Sequence, residues 1–274
     1  MLNKMSKFTD QQYLTTDQYG DASNLNARIT IHKRFSTNPY GWSNWVFDTL
    51  GRLPMDAKIL ELGCGSAEMW VNVAEKIPVN WNITLSDLSP GMLDAAWRNL
   101  VVTGRKFKFE QIDAQSIPYK DKAFDSVIAN HMLYHVPDRP KALGEIKRVL
   151  KDDGCLIATT IGNNHMREMN DWLTRVSKGK VTDMFSLVFT LENGFEQLKP
   201  FFSTVDRSRY NDNLRVTEIE PVIAYIRSMI RMADLPEDEL EILRKELSAI
   251  LERDDEIFVT KDSGLFKAMK QENL

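Results

Sequence analysis

The run Lys58-Ile59-Leu60-Glu61-Leu62-Gly63-Cys64-Gly65-Ser66-Ala67 decides the fold, because an apolar stretch, a Gly-x-Gly bend and a helix start follow one another without a gap. The apolar residues read as a strand buried on both faces, as in a parallel sheet. The two glycines let the backbone turn tightly and come close to a ligand. Ser66 is expected to cap a helix behind the bend, whose free N–H groups then face whatever negative group the ligand carries.

The dinucleotide fingerprint asks for a third small residue where this chain has Glu68, which argues against a pyrophosphate ligand. About twenty residues beyond the bend, Trp81-Asn82-Ile83-Thr84-Leu85-Ser86-Asp87 is a second strand-like run ending in an acid. Folds of this kind place the carboxylate that holds a ribose diol there.

Outward from these two runs, strands are expected at 58–63, 81–87, 107–112, 124–130 and 154–160, with helices between them at 66–77, 90–103 and 138–151. Alternation of this sort specifies an α/β fold with helices on both faces of a parallel sheet. Lys151-Asp152-Asp153-Gly154 reads as a turn that ends the last helix. Further on, 201–207 is expected as a sixth strand, and 256–260 with 265–269 as the closing antiparallel one.

The segments 1–50, 163–190 and 216–253 fall outside the pattern and are expected to form a helical cap, with 51–274 as the core that carries the two later insertions. The 216–253 insertion reads as two helices, the second opened by Pro236 and carrying Leu240, Leu243, Leu247, Ile250 and Leu251 on one face. That stripe is better read as core packing than as a partner-binding face.

With 274 residues, 43% of them hydrophobic, the chain has material for one core domain plus a cover. Its 35 basic against 39 acidic side chains give a net charge of −4 and no general attraction for a polyanion, so no nucleic-acid partner is expected. The Arg105-Lys106-Phe107-Lys108 cluster reads as a solvated turn entering a strand. No apolar run reaches membrane-spanning length, and the first residues lack an apolar signal core, which gives an expectation of a cytoplasmic protein with no membrane partner. Cys64 and Cys155 have no metal-type spacing, and no metal is expected. Oligomeric state leaves no sequence signature here.

Four segments in order, Glu61-Leu62-Gly63-Cys64-Gly65, Leu85-Ser86-Asp87-Leu88-Ser89-Pro90-Gly91-Met92-Leu93, Ile112 to Tyr119 and Phe124 to His131, make the chain resemble the class I S-adenosylmethionine-dependent methyltransferases, in their small-molecule, UbiE-like branch. The resemblance covers about half the chain. It implies a doubly wound, seven-stranded, mostly parallel Rossmann-like sheet and S-adenosylmethionine as cofactor, with methyl transfer to a small or medium-sized metabolite. A non-catalytic cofactor-binding sensor or scaffold, and an enzyme acting on RNA or protein, are the alternatives.

In that resemblance the backbone at Glu61, Leu62, Gly63, Cys64 and Gly65 passes beneath the amino-acid tail and ribose, and Asp87 accepts from both ribose hydroxyls, as a two-oxygen acceptor can. Asp113 and Ala114 would hold the adenine edge, Leu88 and Met92 cover its faces, and Asn130 face the methionine moiety. Glu61 admits two readings, direct cofactor contact or orientation of the glycine loop. If a catalytic base exists, His131 and His135, spaced as one helical turn after the fourth strand, are the candidates; tethering the loop is their structural alternative. Tyr19, Trp42, Tyr134, Arg207 and Tyr210 are candidates for the substrate pocket. In the N-terminal group that also holds His32, Arg28 either clamps the cofactor carboxylate or an acidic substrate, or is a solvated helix residue.

Overall fold

The computed structural model describes residues 7–180, 188–229 and 235–271. The run that opens the fold forms β1 (Lys58–Leu62), followed by β2 (Asn82–Asp87), β3 (Lys108–Gln111), β4 (Phe124–Asn130), β5 (Leu150–Ile161), β6 (Thr204–Tyr210), β7 (Asn213–Val216), β8 (Ile257–Thr260) and β9 (Ser263–Met269). Seven of these make one sheet in the order β3-β2-β1-β4-β5-β9-β6. Pairing is parallel from β3 through to β5 and antiparallel on both sides of β9.

The central strands are apolar on both faces because both are covered: Ile59 and Ile128 pack into one layer, Leu60, Val127 and Leu156 into the other, all fully buried. Each such side chain contributes about 1.5–3 kcal/mol relative to exposure.

The helices are α1 (Gln11–Tyr13), α2 (Ser23–Phe35), α3 (Trp42–Asp48), α4 (Glu68–Asn72), α5 (Pro90–Val101), α6 (Arg139–Val149), α7 (Arg167–Val176), α8 (Gly194–Leu198), α9 (Ile219–Arg227) and α10 (Glu237–Asp254). Helix α5 begins where the sequence says it should: the Ser89 hydroxyl accepts from the Met92 N–H and Pro90 occupies the first turn.

Several expectations need correction. Ser66 does not cap α4; Ala67, in the left-handed region at φ 59°, precedes it without a side-chain cap, because the chain is still turning out of the glycine bend. The helix expected over 66–77 is split into α4 and a short 3-10 turn at Ala74–Lys76. Lys151 to Gly154 is not a turn but a bulged arm of β5, where the pairing jumps from Phe124 with Leu150 to Ser126 with Cys155. The sixth strand starts later, at Thr204.

The strand at 257–260 does not close the main sheet. It pairs with β7, from Asn213 with Thr260 to Val216 with Ile257, because its alternating Ile257 and Val259 bury into a second hydrophobic cluster rather than the sheet core. That cluster also takes Ile31 and Phe35 of α2, Trp172 and Leu173 of α7, Val222 and Ile223 of α9, and Leu240, Leu243 and Leu247 of α10. Part of the 163–190 insertion, residues 181–187, lies outside the described residues. Among the described residues, no helix is long and apolar enough to cross a membrane.

Candidate active site

In an open parallel sheet, the ligand crevice lies beyond the strand C-termini where the order reverses. Here that point is β1, whose neighbours are β2 and β4. A cavity of about 800 Å³ opens there, walled by the rims of β1, β2 and β4 and roofed by residues from α1 to α3.

The bend is built as the glycines require. Gly63 and Gly65 hold φ at 66° and 53°, where only glycine sits without strain. A Cβ on Gly63 would lie 2.8 Å from Met132 Cβ, and one on Gly65 would lie 2.8 Å from a Leu25 methyl. Asp87 is tied to this bend: its Oδ2 accepts from the Gly65 N–H at 2.9 Å and its Oδ1 from the Ser89 N–H at 2.9 Å. Burial raises its carboxyl above the ordinary value, against the pull of those N–H groups.

Glu61 is buried in the cavity wall. Its Oε2 accepts from the Trp70 indole N–H and its Oε1 from Asn130 Nδ2 at 2.7 Å. Burial pushes its carboxyl up to about 7, with both donors opposing. Asn130 Oδ1 is buried and has no partner. Leu62, Cys64, Leu88, Met92, Asp113 and Ala114 line the same half of the cavity. Asp113 accepts from Gln115 and, across the roof, from Gln11 Nε2 at 3.1 Å. Cys64 and Cys155 are both buried free thiols.

His131 and His135 both reach the cavity but do not share a helical face, because the chain between them is a 3-10 turn, Leu133–His135. His135 Nε2 lies 3.1 Å from the Tyr19 hydroxyl and its Nδ1 lies 2.8 Å from the Phe8 carbonyl. A carbonyl only accepts, so Nδ1 carries the proton and Nε2 accepts from Tyr19. The His131 ring lies elsewhere, 5.3 Å from Trp42, on a backbone held at φ 49° with its N–H donating to Thr159 Oγ1 at 2.9 Å. Burial pulls both imidazoles down to about 4, helped by Arg28 in each case.

Tyr19, Trp42 and Tyr134 line the cavity. Arg207 and Tyr210 do not. β6 runs in the predicted direction, but it is the edge strand, separated from β4 by β5 and β9. Arg207 there donates to the Leu191 carbonyl, and Tyr210 packs behind the rim against Trp42 and Trp45. Arg28 is not solvated either; it lies in the cavity wall, its guanidinium 5.3 Å from the Tyr19 ring centre.

His165 and Lys261, which also line the cavity, carry no motif. The one usable signal is that an antiparallel closing strand begins at the rim, which places the residue just before β9 there.

Residues 60–158 match the methyltransferase domain family. A demethylmenaquinone methyltransferase of Lactobacillus johnsonii is 32% identical over 116 residues, covering 42% of this chain and 47% of the relative. The chain thus spans about half the length of the curated relatives it matches. Among solved structures, Haemonchus contortus phosphoethanolamine N-methyltransferase 2 superposes with a TM-score of 0.59 at 19% identity, over 98% of this chain and 61% of that one. The [4+2]-cyclase SpnF superposes with a TM-score of 0.59 at 18% identity, over 96% and 97%. These likenesses establish the fold, a Rossmann-like methyltransferase sheet. The match to the methyltransferase domain family begins within the run that opened the fold.

Proposed function

We propose that the chain binds S-adenosylmethionine across this rim and transfers its methyl group to a small or medium-sized metabolite inside the cavity. The observation that carries the reading is the Gly65 N–H to Asp87 bond, which joins the ribose-type acid to the glycine bend at the point where the sheet order reverses. The residues present suit the cofactor: Asp87 keeps lone pairs beyond the two N–H groups it accepts, the bend has no side chain to obstruct the tail, and the unpartnered Asn130 Oδ1 belongs to the same wall. Asp113 and Ala114 are assigned to the adenine edge, Leu88 and Met92 to its faces.

When bound, the cofactor supplies an electrophilic methyl carbon whose bond to sulfur breaks, the pair staying on sulfur, as the acceptor's lone pair bonds to it. The protein's main contribution is alignment, for which about 7–11 kcal/mol is available, against the 10²–10⁴-fold of a general base. Tyr19 and His135 form the relay for any proton released: the Tyr19 oxygen takes it while the Tyr19 proton passes to His135 Nε2. The imidazolium then formed donates to the Phe8 carbonyl. We assign the base role to this pair rather than to His131, whose ring packs on Trp42.

A cavity roofed by residues from α1 to α3 favours a small acceptor over RNA or protein. Incubating metabolite extracts with the protein and methyl-labelled cofactor, with mass spectrometry of the products, tests the reading. Transfer of label supports it; cofactor binding without transfer to any fraction returns the domain to a binding role. Tyr19→Phe separates relay from alignment: a fall of about 10²-fold or more in kcat supports the relay, and an unchanged kcat removes it.

A further inference from the structure

The cavity has two chemically different ends. Every acid in its wall, Glu61, Glu68, Asp87 and Asp113, belongs to the β1–β3 side or to α4 behind the bend. The other end brings together Arg28 and His32 of α2, His131 after β4, His165 after β5 and Lys261 before β9.

Lys261 Nζ is buried and paired with Asp212, which lies behind it and outside the wall. That one carboxylate also accepts from Ser36, Thr37 and the Asn38 N–H. Arg28 has no acidic partner among the described residues, and its Nη2 is buried without a hydrogen bond. Its neighbours are instead the rings of Tyr19, Tyr134 and Tyr225. His32 stands edge-on to Tyr225 at 5.9 Å and 6.4 Å from His165, its Nδ1 also unpartnered. Burial first, then Lys261, keeps His32, His131 and His165 neutral, so each carries one ring N–H.

The charge balance of this end is therefore one uncompensated cation, Arg28, beside a shared ion pair and a ring of donors. Holding a cation out of water without a counter-charge is unfavourable, and the arrangement suits a ligand that supplies the missing charge.

We propose that the acceptor carries an anionic group, a carboxylate or a phosphate, which seats between Lys261, Arg28 and the imidazoles of His32, His131 and His165. This rests on the methyltransferase reading and deepens it: the anion anchors one end of the acceptor, leaving its nucleophile toward Tyr19 and the glycine bend.

The test uses calorimetry on the full chain saturated with S-adenosylhomocysteine, titrated with inorganic phosphate, acetate and, as the uncharged match to acetate, acetamide. Saturable binding of phosphate or of acetate, with none of acetamide, is expected; whichever anion binds identifies the source of the charge. Lys261→Met should weaken that binding at least tenfold while homocysteine-nucleoside affinity stays within about twofold. Because Lys261→Met strands Asp212, His32→Phe, which keeps the ring packing, serves as a second variant with the same expected direction. Binding of S-adenosylhomocysteine with no anion binding, or anion affinity unchanged in both variants, overturns the proposal alone. Failure to bind S-adenosylhomocysteine overturns the reading beneath it.

Discussion

Asn130 Nδ2 donates to Glu61 Oε1 at 2.7 Å, joining the ends of the two central strands across the floor of the cavity. With Trp70 holding the other oxygen, the carboxylate has fixed orientation. Glu61 thus ties Trp70 of α4 to Asn130 at the end of β4.

Glu61→Gln puts an amide N–H₂ against one of two donors. Hydrogen bonds to charged groups are worth about 1.5–3 kcal/mol, so cofactor affinity should fall by roughly ten- to a hundredfold by calorimetry. An unchanged affinity would remove Glu61 from the binding machinery.

Asp87→Ala strips the acceptor from the Gly65 and Ser89 N–H groups together. Cofactor binding should become undetectable or at least a hundredfold weaker, with a lower melting temperature for the unliganded protein. Asp87→Asn, which keeps one acceptor oxygen, should retain part of the stability but little of the affinity.

The two glycines should respond differently to rescue. Gly63→Ala and Gly65→Ala each force a left-handed φ on alanine, at a cost of about 1–3 kcal/mol. For Gly65→Ala the obstructing atom is the end of Leu25, so adding Leu25→Ala should recover part of the loss in urea unfolding. For Gly63→Ala the obstruction is Met132 Cβ, which Met132→Ala retains, so little recovery is expected.

Acid should destabilise the fold through the histidines. An imidazole lowered from 6.5 to about 4 binds its proton more readily in the unfolded chain, so its stabilising contribution is complete above pH 6.5 and is lost as pH falls toward 4. His131 and His135 each contribute on the order of 3 kcal/mol to that loss. Glu61, raised to about 7, acts oppositely: stability falls as pH rises from its ordinary value toward 7. The histidines outnumber it, so melting temperature should drop between pH 6.5 and 4.5. His135→Gln should flatten that slope; an equally steep slope contradicts its burial as a neutral ring.

Local backbone chemistry made the glycine bend, the end of β2 at Asp87 and the succession of β1 to β5 readable from the residues, because each is set by neighbours close in sequence. Lateral strand order is not encoded that way. Arg207 and Tyr210 were expected at the pocket from strand direction alone, whereas two intervening strands carry them to the edge. The same limit hid the pairing of β8 with β7, since Ile257 and Val259 alternate equally well for either sheet. The basic end of the cavity is only half legible for a third reason: Arg28 and His32 stand out on one helix, but His165 and Lys261 join them only after β5 and β9 have been placed.

Every histidine in the chain, His32, His131, His135 and His165, borders this cavity. The imidazole region of a magnetic-resonance spectrum therefore contains no signal from outside it, and isotopic labelling of a single amino-acid type turns the whole protein into a reporter of what enters.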